Sequence, residues 1–87
     1  MRIWFIKWKD NHQIESTVVE DYSEDTRTHK VLGALEKACY KFDLMTPIWL
    51  DPCIAEFKKY HRTRFYQDAF IEEIPFDFLE MRVLEED

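Results

Sequence analysis

Residues 2–9 alternate like a β-strand yet carry bulky apolar side chains on both parities. Successive strand side chains point to opposite faces, so Ile3 and Phe5 share one side while Trp4, Ile6 and Trp8 share the other. Such a segment reads as a central strand, or as one whose second face meets a partner. Asp10-Asn11-His12 then supplies turn chemistry, because Asp and Asn tolerate left-handed backbone angles. In residues 13–20, Ile14, Ser16 and Val18 alternate against Glu15, Thr17 and Val19, which predicts a return strand and a β-hairpin.

The next periodicity is helical. Val31, Leu35, Ala38 and Phe42 recur at helix spacing over residues 26–42, widened by Leu32 and Cys39, with Ser23, Asp25 or Thr26 available as caps. After Thr46-Pro47, the pair Asp51-Pro52 marks a second helix over about 51–60, with Asp as N-cap and Pro at the first helical position. Residues 61–76 hold Phe65, Tyr66, Phe70, Ile71 and Phe76 without a clean period, and Pro75 forbids an uninterrupted strand. In residues 77–85, Leu79, Met81 and Val83 alternate against Glu80 and Arg82, which predicts the last strand.

The expected fold class is therefore α+β, of order β-β-α-α-β. The simplest arrangement is a three-stranded antiparallel sheet with two helices packed on one face. With 87 residues the chain suffices for one domain, 1–87, and its 46% hydrophobic and 16% aromatic content supplies the core. Lys7 and Lys9 interrupt the N-terminus before a signal-peptide core forms, and no apolar run reaches the ~20 residues that span a bilayer. Two cysteines make no disulfide framework, so a soluble cytoplasmic protein is expected.

Charge is unevenly placed. Residues 68–87 hold eight acids and one base, a net of −7 within a chain of net charge −6. That balance disfavours generic binding to nucleic acid or membrane. Two basic clusters nevertheless stand out. Arg27, His29 and Lys30 fall in the first turn of the long helix, where the dipole disfavours cations by roughly 0.3–1 kcal/mol each at exposed sites. Either an anionic ligand sits there, held by backbone N–H groups and these side chains, or Glu24 and Asp25 neutralise the cluster internally. Lys58, Lys59, His61, Arg62 and Arg64 interleave with Phe57, Tyr60, Phe65 and Tyr66, a pattern that single-stranded nucleic-acid sites use. Against that, cations are favoured at a helix C-terminus and the aromatics are needed for a core.

Two further surfaces are candidates for a protein interface. Trp4 and Trp8 share a strand face that needs cover, either from a partner or second copy, or from the loop at Phe65–Phe76. Glu80, Glu85 and Glu86, with Asp87, line an acidic final strand that could face a basic partner or merely protect an edge. Cys53, near a helix N-terminus, is either a reactive thiol or a buried small hydrophobe, and Cys39 lies on an apolar stripe. The three histidines match no metal spacing, and no nucleotide or triad motif is present. The sequence thus nominates no catalytic residue, no metal and no cofactor.

Asp25-Thr26-Arg27-Thr28-His29-Lys30-Val31, Pro47-Ile48-Trp49-Leu50-Asp51, Thr63-Arg64-Phe65-Tyr66-Gln67-Asp68 and Phe76-Asp77-Phe78-Leu79-Glu80 together give a further indication. With these stretches the chain resembles a group of short hypothetical proteins from anaerobic Firmicutes. The resemblance implies a bacterial, cytosolic, stand-alone protein and brings no activity, ligand or partner with it. The expected function is a small non-enzymatic protein-interaction or regulatory module, working through the Trp face or the acidic last strand. The alternative is a binder of a phosphate-bearing ligand or nucleic acid through the clusters at 27–30 and 58–64. A small enzyme would require a deep pocket with Cys53 or a His beside a carboxylate.

Overall fold

The computed structural model describes residues 1–86. Strands β1 (Arg2–Lys9) and β2 (His12–Glu20) form the expected hairpin. Its two-residue turn places both Asp10 (φ 50°) and Asn11 (φ 65°) in the left-handed region, which matches the right-handed twist of the flanking strands. Helix α1 (Arg27–Lys41) starts at an N-cap Thr26 whose hydroxyl accepts from the His29 N–H, 3.2 Å away. Helix α2 (Asp51–Tyr60) spans the expected residues, but its N-cap is Leu50 rather than Asp51: Asp51 lies in the first turn and no side chain caps.

The sheet has four strands rather than the expected three. Residues 62–65, left unplaced by their lack of period, form β3 (Arg62–Phe65), paired antiparallel with the last strand, β4 (Phe78–Glu85). Four residues are too few to display an alternation, and only pairing with β4 makes them a strand. His61, in the left-handed conformation at φ 58°, ends α2 and turns the chain directly into β3. The described order is thus β-β-α-α-β-β, and the sheet order is β2-β1-β4-β3, antiparallel throughout. β1 and β4 are the central strands, which accounts for β1's apolar residues on both faces.

Both helices lie on one side. Val31, Ala34, Leu35, Ala38 and Cys39 of α1 and Cys53 and Phe57 of α2 join one core with Ile3, Phe5, Phe65, Leu79 and Met81. The chain from 66 to 77 closes the same core with Ala69, Phe70, Ile74 and Phe76. It holds its shape through the Gln67 amide, which donates to the Glu72 carbonyl (2.7 Å) and accepts from the Ile74 N–H (2.9 Å). The segment that could have covered the Trp side therefore seals the helix side instead. Among the described residues, no helix is long and apolar enough to cross a membrane.

Candidate functional site: the outer face of the sheet

Strand register fixes what the helix-free face displays. Trp4, Ile6 and Trp8 of β1 lie opposite Arg82, Glu80 and Phe78 of β4, and β4's Arg82 and Glu80 lie opposite β3's Arg62 and Arg64. Aromatic rings cross one end of this face. Trp8 stacks on Phe78 at 6.2 Å between centroids, and Tyr66 follows at 5.2 Å from Phe78. The Arg64 guanidinium lies 4.7 Å from the Phe78 centroid, a cation–π contact. Trp4 and Trp8 are half-buried, and Tyr66 is 49% exposed.

Glu80 sits in the middle of the face at 2% exposure. Burying a carboxylate is costly unless opposite charges accompany it. Arg64 Nε reaches Glu80 Oε1 at 3.3 Å, and Arg82 Nη2 reaches Oε2 at 2.9 Å. The second contact has the distance of an ion pair but not the alignment of a hydrogen bond. Among the described residues, Glu80 Oε2 and Arg82 Nε are consequently both enclosed without a hydrogen-bond partner. The Tyr66 side chain, first, and then the Glu80 carboxylate hold the Arg64 pKa above the usual guanidinium value. Arg62, Arg64, Arg82, Tyr66, Glu80 and Glu56 line a cleft of about 290 Å³ along β3 and the middle of β4.

The other nominated residues are distributed elsewhere. At the start of α1, His29 Nδ1 meets Asp25 Oδ1 at 2.9 Å, and Arg27 meets Glu86 Oε1 at 2.9 Å, with His61 close by. The bond from His29, then the Thr26 backbone N–H, holds the Asp25 pKa below its usual value. Acids from within the chain thus pair with Arg27 and His29. Lys30 is buried. Arg27 and Lys58 line a shallow apolar groove between the helices, over Val31, Leu32, Ile54 and Phe57. Lys59 lies over the Tyr60 ring at 5.2 Å. The two basic clusters therefore meet in part, at Arg27 and Lys58, while Arg62 and Arg64 belong to the sheet's outer face.

The acidic strand divides in the same way. Glu80 is interior, Glu85 lies 3.8 Å from Arg2 and Glu86 engages Arg27; Asp87 falls outside the described residues. Cys53 is buried, its thiol donating to the Arg64 carbonyl at 3.6 Å, and burial pushes the Cys39 thiol up to about 12. No group of three His, Cys, Asp or Glu among the described residues is arranged to hold a metal. Sequence reasoning placed Tyr66 beside the second basic cluster but missed Arg82 and Phe78 as members of the site. Arg82 was signalled by sharing Glu80's parity, but the short β3 that brings Arg62 and Arg64 alongside was not legible. No protein-family model, curated protein or solved structure matches the chain.

Proposed function

We propose that the protein is a small non-enzymatic binding module that docks a protein partner through the outer face of its sheet. One observation carries this reading: Trp4, Trp8, Tyr66 and three arginines share the face opposite the core that both helices and residues 66–77 close. Trp, Tyr and Arg are the residue types that dominate interface energies, because they bury large areas at small entropic cost. A partner with acidic groups fits best, since a second copy face to face would set arginines against arginines. Glu85 and Glu86 are engaged within the chain, so the docking reading rests on the Trp face rather than on the acidic end.

The test compares wild-type bait with a Tyr66→Ala/Arg62→Glu variant in recovery from native lysate, with and without nuclease. A specific protein should be held by wild type in both arms and lost by the variant. Equal recovery by the two baits would refute docking through this face. Analytical ultracentrifugation of the isolated protein separates a second copy from a foreign partner.

A second reading, binding of a phosphate-bearing ligand or nucleic acid, is favoured by Arg62 and Arg64 lying beside Tyr66 and Phe78. Labelled single-stranded oligonucleotides at low salt address its nucleic-acid form, because phosphate contacts weaken steeply as salt rises.

A further inference from the structure

We propose that the cleft between β3 and β4 binds the phosphate of a small ligand that also carries a planar ring, a mononucleotide-like molecule. This inference rests on the second reading and narrows it to three arginines, one of which, Arg82, lies outside both basic clusters.

Register supplies the first observation. Arg62 and Arg82 are direct cross-strand partners on the same face. Like charges placed directly opposite in a sheet repel, so this pair is a local cost unless an anion lies between them. The anions at hand do not serve both members. Each Glu80 oxygen is already committed, one to Arg64 and one to Arg82. Glu56, from α2, stands at the cleft wall without a salt bridge to Arg62 among the described residues, and the Arg62 guanidinium lies over the Tyr60 ring at 5.8 Å.

Enclosure supplies the second. Among the described residues, Arg82 Nε is shut off from solvent with no acceptor. A buried donor without an acceptor is normally answered by water or a ligand. Guanidiniums from two strands line the cleft, and their planar forks of N–H donors match the oxygens of a phosphate monoester.

Size and the flanking ring supply the ligand class. About 290 Å³ falls just below the ~300–1,000 Å³ of drug-sized sites, room for a mononucleotide rather than a polymer. Tyr66, with Phe78 on one side and half of its surface exposed, borders the cleft and offers a ring for stacking.

The experiment is calorimetric titration at fixed ionic strength with inorganic phosphate, adenosine monophosphate and adenosine. The monophosphate should bind about ten-fold tighter than phosphate, a step equal to one good stacking contact, and adenosine should not bind. Arg62→Gln, an exposed edge position, should weaken both anions by about ten-fold or more, the worth of one lost charge-assisted hydrogen bond. Its circular dichroism and melting temperature should stay unchanged. Tyr66→Ala should abolish the monophosphate's advantage while sparing inorganic phosphate. Unchanged affinity in a folded Arg62→Gln protein, or equal heats with chloride in place of phosphate, would overturn the proposal. Oligonucleotide binding that survives Arg62→Gln would leave the broader reading standing while sinking this one.

Discussion

The two faces of the sheet reach the same burial by different means. On the helix side, Ile3, Phe5, Leu79 and Met81 lie under α1, α2 and the 66–77 loop. On the outer side, Ile6 and Glu80 are as inaccessible, at 1% and 2%, although no helix among the described residues lies on that side. Their cover is the neighbouring side chains: the register seats Ile6 between Ser16 and Glu80, with Trp4 and Trp8 along its own strand. A face closed only by its own side chains can hold a carboxylate, because Arg64 and Arg82 carry the opposing charge out to water, their side chains 50% and 41% exposed. The helix side is mostly apolar, and its strand cation, Lys7, lies over the Phe42 and Phe76 rings and reaches the half-exposed Glu15 at 3.0 Å at its edge. The difference locates function: the sealed face stabilises, and the open one presents charge and aromatic surface.

Four measurements bear on that contrast. The largest effect should come from Phe5→Ala. Its ring is fully buried on the sealed face, and truncation should cost about 3–5 kcal/mol in urea unfolding. A loss below that of an outer-face truncation would break the distinction. Next, Glu80→Gln removes the charge that Arg64 and Arg82 share. Both guanidiniums remain partly hydrated, so the loss should be only about 1–2 kcal/mol, below the cost of orphaning a fully buried charge. A cost as large as that of Phe5→Ala would mean that the outer face is as closed as the inner one.

Thr63 is an exception on the sealed side, 1% exposed, with its hydroxyl unpartnered. Thr63→Val keeps the shape and the β-branched preference for strand. It should raise stability by about 1 kcal/mol, the cost relieved when an unsatisfied hydroxyl leaves a core. A loss instead would show that the hydroxyl has a partner in solution.

The smallest effect belongs to the approach to α1. Hydrogen bonds from Ser23 hold the Asp21 pKa below its ordinary 3.8, and those from His29 and then Thr26 hold Asp25 below the same value. A depressed carboxylate contributes stability fully above pH 3.8 and loses it as pH falls through the lower folded value. Melting temperature should therefore decline more steeply below pH 3.8, and Asp25→Asn should flatten part of that decline. An unaltered slope would remove Asp25 from the account.

The sequence by itself determined the hairpin, both helices and the final strand, because each carries a periodicity long enough to read or a local signal such as Asp10-Asn11 or Asp51-Pro52. It also divided β1 into an Ile3/Phe5 face and a Trp4/Trp8 face, since alternation is a property of the backbone alone. Only tertiary structure decided that residues 62–65 are a strand, because four residues gain their hydrogen bonds from β4 and not from their own pattern. That one pairing turned three strands into four, set Arg62 opposite Arg82 and Arg64 opposite Glu80, and so assembled the cleft. Likewise the direction taken by residues 66–77 was settled by where Phe70, Ile74 and Phe76 found apolar surface to bury. Contacts between residues distant in sequence are energies of pairs, and a single residue's identity does not carry them.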